Sequence, residues 1–253
     1  MGLFGRRGRS GGTRENGAQP TLEDGLATLQ ALDERYLVLG FQPMSGNGQA
    51  TVARGNPDQA TYTAIYVPGI GSGLSSIGTH LKSAELLHQQ ASSQTTEPVS
   101  VIAWAGYDAP RSPRDAGSSS RADAAAVALV GFVAGIRATH EGPRPARISV
   151  IGHGYGGLVI GAAAKSGSLD VDNLVFLGCP SAGVDHASNL RVPGGVFATS
   201  AENNDDGTPF GVHGPRPDTP DFGAHVIKPV ARSDGDPVTP YLPALGHVIV
   251  GQA

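Results

Sequence analysis

The chain has 253 residues, 39% of them hydrophobic and 16% charged, with a formal net charge of −4. That length suits one large domain and is ample for a core, and the apolar runs look shorter than the ~20 residues that span a bilayer, which excludes a membrane protein on this reading. Thirty-seven glycines and 19 prolines, with aromatics at only 6%, favour tight turns and small-residue packing. The single cysteine, Cys179, excludes an intramolecular disulfide and a multi-cysteine zinc site, and fits a reducing compartment.

Charge divides the chain into an arm and a body. Residues 1–20 carry Arg6, Arg7, Arg9 and Arg14 against Glu15, a net +3, which leaves −7 on the other 233 residues. Nucleic-acid binding by the acidic body is therefore disfavoured. The arm reads as a disordered or partner-ordered Gly/Arg-rich segment, and its arginines suit contact with an acidic protein partner. It lacks the apolar core of a signal peptide, and the expected location is cytoplasmic. Residues 21–253 are expected to form a single domain, free or as a subunit of a larger assembly.

A short helix is expected after Thr21, with Asp24 at the capping-box offset. Strands are expected at 35–42 and 49–55, joined by a hairpin turn containing Asn47-Gly48. Further strands are read at 61–70 and 99–107, with the glycine-rich GSGLSSIG (71–78) between them. A helix at 121–140 precedes a strand at 146–152, a helical LVIGAAAKSG (158–167), and strands at 171–179, 194–201 and 225–231. A final helix covers roughly 239–251. These strands are continuous apolar runs, the pattern of strands buried on both faces. The whole reads as a three-layer α/β sandwich with a mostly parallel sheet and an antiparallel N-terminal hairpin.

In such sheets chemistry sits beyond the carboxyl ends of the strands. The stretch ISVIG-His153-Gly154-Tyr155-Gly156-Gly157-LVIG is a strand, a sharp turn and a helix. With serine at its centre, Gly-x-Ser-x-Gly is the turn on which α/β hydrolases raise their nucleophile. Here the flanking glycines are present and the centre is Gly154. The same string satisfies G-x-G-x-x-G, so a nucleotide site at Gly152–Gly157 is a competing reading. That reading needs an acid at the end of the next strand, whereas Asp170 and Asp172 stand at its beginning.

Several segments together resemble one family: YVPGIGSGLSSIG (66–78), AWAGYDAP (103–110), RATHEG (137–142), ARISVIGHGYGGLVIG (146–161), VDNLVFLGCPSAGV (171–184) and VHGPRPDTPDFGAH (212–225). The chain resembles, over about residues 35–251, a largely actinobacterial α/β-hydrolase family known as a domain of unknown function. The resemblance implies an eight-stranded sheet of the hydrolase type and, in intact members, a Ser–His–Asp triad.

Carried over residue by residue, that triad is degenerate. Gly154 occupies the nucleophile position, and the acid falls on Asp206 or Asp205. The histidine expected shortly before Asp236-Pro237 is missing from PVARSDG (229–235). His213 and His225 flank the HGP…FGA loop, His213 reading as a loop hydrogen-bonder and His247 as an ordinary helix residue. Glycine at the turn relieves ~1–3 kcal/mol of backbone strain, while losing a triad serine costs on the order of 10⁶ in rate.

The relict site is then the turn, with His153 and Tyr155, and the facing oxyanion-type loop Gly69, Ile70, Gly71 and Ser72. A small apolar ligand suits that pocket, and no metal or other cofactor is expected. The leading expectation is a pseudo-hydrolase with a binding, structural or assembly role. The alternative is an active ester hydrolase using Ser72, Ser75 or Ser76 with His153 or His213.

Overall fold

The computed structural model describes residues 20–200, 211–231 and 234–253. Eight strands form one sheet: β1 Tyr36–Gln42, β2 Gln49–Arg54, β3 Tyr62–Val67, β4 Val99–Ala105, β5 Arg147–His153, β6 Asn173–Leu177, β7 Val196–Thr199 and β8 His225–Ile227. Their spatial order is β1-β2-β4-β3-β5-β6-β7-β8. β1–β2 and β2–β4 pair antiparallel, and every later pair is parallel. The expected sandwich with an antiparallel N-terminal hairpin is therefore what the chain forms. The parallel strands β3 to β8 end on one edge, which gathers their following loops on one side of the molecule.

Among the described residues there are five α-helices packed around the sheet: α1 Leu22–Gln30, α2 Ile77–Ser92, α3 Ser120–Thr139, α4 Gly156–Lys165 and α5 Leu242–Ile249. Alternate side chains along each strand feed two separate cores. Ile65, Val67, Ile102, Ile148, Val150 and Phe176 pack with α3 and α4 on one face. Ala64, Tyr66, Val101, Ile151, Val175 and Leu177 pack with α2 and α5 on the other. The capping box that opens α1 is present, with the Asp24 N–H donating to Thr21 Oγ1 at 3.2 Å and the Thr21 N–H to Asp24 Oδ2 at 2.7 Å.

Three sequence expectations need correction. The stretch after Ser76 is the 16-residue helix α2, which the glycine-rich reading of 71–78 left out. The last strand stops at Ile227, because Lys228-Pro229 follows and proline cannot donate to a ladder. The exclusion of any membrane-length apolar segment was too strong, since α3 is long and apolar enough by length and composition to cross a membrane. In this fold α3 lies on the sheet, burying Ala122, Ala125, Leu129, Val133 and Ile136.

Candidate functional site

β5 delivers His153 as its last residue, and the chain reverses through Gly154 into α4. Gly154 has φ +52, the left-handed conformation that a Cβ penalises. Its N–H donates to Leu177 O on the neighbouring strand (3.2 Å), and its carbonyl accepts from Gly157 N–H (3.1 Å). The flanking glycines are required by contact as much as by conformation. A Cβ on Gly152 would stand 2.6 Å from Gly156 O, and one on Gly156 would stand 2.2 Å from Val67 O. The chain thus makes a tight strand–turn–helix reversal whose central residue, Gly154, has no side chain.

Tyr155, the next residue, is fully buried and donates its hydroxyl to Ser118 O at 2.7 Å. It anchors the turn to the segment that leads into α3. Cys179 is buried beside the turn, its thiol 3.1 Å from Gly152 O. Asp172 lies before β6 and accepts from the Ile148 N–H at 2.8 Å, at the opposite end of the strands from the turn.

The facing loop leaves β3 and is pinned at two points. Tyr107 donates its hydroxyl to Pro68 O at 2.6 Å, and Gly71 donates its N–H to Pro110 O at 2.8 Å. Within it the Ser72 N–H reaches Gly69 O at 3.3 Å, and Ile70 packs partly buried against the core. Gly71 has φ +72, and nothing lies within 4 Å of where its Cβ would be, so the loop borders open space there. Ser72 is 1% exposed and its hydroxyl oxygen has no hydrogen-bond partner.

The loop's third serine has a partner that sequence reasoning missed. Ser76 Oγ lies 3.1 Å from His80 Nε2, one turn along α2, and also accepts the Gly73 N–H at 3.1 Å. His80 and His153 both lie beside the Tyr66 ring, at 6.3 and 6.4 Å between centroids, with His153 nearly parallel to it. Burial, reinforced by His153, pushes the His80 pKa down to about 3, so its imidazole is neutral at ordinary pH. The Ser76–His80 pair has the i, i+4 spacing of one helix face, a signal that is readable only once α2 is recognised.

The histidines considered for the triad stand elsewhere. His213 Nε2 lies 2.8 Å from Ala116 O, and His225 on β8 packs at 5.5 Å against Phe197. His247 is exposed on α5. The landmark Asp236 is 3% exposed, with Ser83 Oγ at 3.1 and 3.2 Å from its carboxylate oxygens and the Val238 N–H at 3.1 Å. It thereby ties the segment before α5 to α2. Asp205, Asp206 and the arm arginines Arg6, Arg7, Arg9 and Arg14 lie outside the described residues. Among the described residues no three His, Cys, Asp or Glu side chains form a metal-ligating group.

Comparison with known proteins agrees with this architecture. Residues 44–207 match a family model described as alpha/beta hydrolase. The uncharacterized protein Rv2079 of Mycobacterium tuberculosis is 33% identical over 177 residues, covering 66% of this chain and 27% of that protein. A second uncharacterized protein of that organism, Rv0963c, is 33% identical over 157 residues, 58% of each. The chain thus spans about a quarter of the one relative and little more than half of the other. Among solved structures, a fungal esterase from Rhizomucor miehei is 13% identical with a TM-score of 0.52, covering 90% of this chain and 87% of that one. At that identity the likeness shows the fold alone. The matched model spans well over half of the sequence and takes in strands β2 to β7, the turn and the facing loop, and on that footing the chain belongs to an α/β-hydrolase family, with actinobacterial relatives of unknown function.

Proposed function

We propose that this chain is a catalytically degenerate α/β-hydrolase that uses the relict cleft for binding and not for bond cleavage. Gly154 carries the reading: the apex of the turn has no hydroxyl or thiol, and its φ of +52 is a conformation glycine adopts freely. Without the nucleophile, the oxyanion donors and binding contacts of such a site retain only ~10³–10⁴ over water. The open space at Gly71 supports a persisting cleft for a small, mostly apolar ligand. On the same reading the arginines of the arm serve contact with an acidic protein partner.

A second reading has one observation in its favour, the 3.1 Å contact between Ser76 and His80. Ser76 would then attack an ester carbonyl while His80 takes its proton. An imidazole held to a pKa of about 3 is a weak base for that step, because catalytic bases work best near the operating pH. The test is turnover of p-nitrophenyl acetate and butyrate by the purified chain, its Ser76→Ala variant and its Gly154→Ser variant. The pseudo-hydrolase reading expects all three at the same background rate. A wild-type rate abolished by Ser76→Ala would establish the second reading instead.

A further inference from the structure

Away from the turn, a trough runs along the outer side of α4, and its two ends differ in chemistry. Its polar end is a cavity of about 630 Å³ walled by Lys165, Arg191, Asp185, Asn189 and His213. Among the described residues Lys165 and Arg191 have no ion-pair partner, and Asp185 is the one carboxylate lining that wall. Lys165, Gly183 and His213 also wall a second cavity of about 280 Å³ that includes Ala122, Leu158 and Ala162. From Ala162 the trough passes into a third cavity of about 320 Å³ over Ala126, Val127 and Val130 of α3. Val127 is 75% exposed there, an apolar side chain with nothing covering it. Asp123 stands at the junction of the last two cavities, its carboxylate accepting the Ser119 hydroxyl at 3.1 Å.

The polar end is held in place from several directions. Ser181, 1% exposed, donates its hydroxyl to His213 O and accepts the Gly183 N–H at 3.1 Å. His213 bonds in turn to Ala116 O, so three separate chain segments are fixed around the cavity. Gly183 and Gly214, both at positive φ, shape the wall without side chains. Preorganisation of this kind lowers the ordering cost of binding.

We propose that this trough binds a single-chain amphiphile with an anionic head, the carboxylate of a medium-chain alkanoate being the simplest case. The head would meet Lys165 and Arg191, and the tail would lie along Leu158, Ala162, Val127 and Val130. Two cations against Asp185 favour an anion at the polar end, and the apolar wall of Ala126, Val127 and Val130 favours a hydrocarbon at the other. Both cations also stand near the C-terminal end of α4, where positive charge complements the helix dipole, a role that affects stability and not ligand capture. The trough does not include Gly154, so the proposal stands whichever way the turn is read.

The test is calorimetric titration of the full chain with sodium decanoate below its micelle concentration. Butyrate serves as a head without a tail, and decyl glucoside as a tail without a charge. Decanoate should bind saturably, and both controls should bind roughly ten-fold more weakly or worse. The double variant Lys165→Gln/Arg191→Gln should lose roughly ten-fold in decanoate affinity while leaving decyl glucoside unaffected. Val127→Asp, on an exposed side chain that leaves the melting curve unchanged, should weaken decanoate and leave butyrate as it was. Absence of saturable decanoate binding overturns the proposal, as does equal binding of decyl glucoside or of butyrate. Unchanged decanoate affinity in both variants overturns it as well.

Discussion

On the proposed reading, the turn at Gly154 and the loop that faces it keep opposite halves of a hydrolase site. The turn keeps the frame: glycines at 152 and 156 allow backbones to approach where a Cβ would collide, and the backbone bends at φ +52. It has no reactive side chain at its apex. The loop and the first turn of α2 have the hydroxyls and an imidazole, Ser72, Ser76 and His80. Yet Ser76 is held by the Gly73 N–H, and His80 is held neutral by burial. Frame and chemistry are separable properties of a fold, and belonging to the fold family does not supply the second.

The largest effect should come from breaking the frame. Gly156→Ala sets a methyl carbon against the Val67 carbonyl, main chain that cannot swing aside, and should cost about 3 kcal/mol by overpacking. Chemical denaturation measures this, and a change within ~0.5 kcal/mol would mean that the close approach is not real. Next is Ser83→Ala, which removes a hydroxyl from the buried Asp236 carboxylate and should cost about 1–3 kcal/mol. That loss should shrink in Ser83→Ala/Asp236→Asn, since the orphaned charge is then gone.

Gly154→Ser should cost about 1–2 kcal/mol, the penalty of a side chain in the left-handed region, and bring no ester turnover. A melting temperature equal to the wild type's would show that the turn relaxes when it carries a side chain.

The last effect belongs to the loop and is read through pH. The folded-state pKa of His80 is pushed from 6.5 to about 3, so the unfolded chain takes up the proton first. Its contribution is complete above about pH 6.5 and is lost progressively as pH falls toward 3. His88, also lowered by burial, adds in the same direction. His80→Asn should therefore flatten part of the fall in melting temperature between pH 7 and pH 4. An unaltered slope would mean that His80 is solvated.

Much of this architecture was legible in the residues. The apolar runs mark all eight strands: the central ones are buried on both faces and have no polar side to interrupt them, while the edge strands β1 and β8 keep apolar residues at exposed positions, and glycine spacing marks the turn. What escaped was α2. Its buried positions Ile77, Leu81, Ala84, Leu87 and Ala91 do follow helical spacing. They are scattered among polar residues, and Ser76 at the N-cap spends its side chain on Gly73 and His80 and makes no capping bond. With α2 unread, Ser76 and His80 were two isolated residues, and their pairing was invisible. Strand ends were overrun by two to four residues wherever an apolar run continues into a loop, as at Pro68–Ile70. The crossing that places β4 between β2 and β3 comes from long-range pairing that no local pattern encodes.

The central claim is that this hydrolase fold lacks a working nucleophile. The direct measurement is intact-mass spectrometry of the full chain after incubation with a fluorophosphonate, alongside the Ser76→Ala variant. The account predicts no adduct on either protein. A stoichiometric adduct on the wild type that disappears in Ser76→Ala would contradict it and identify Ser76, paired with His80, as an active serine.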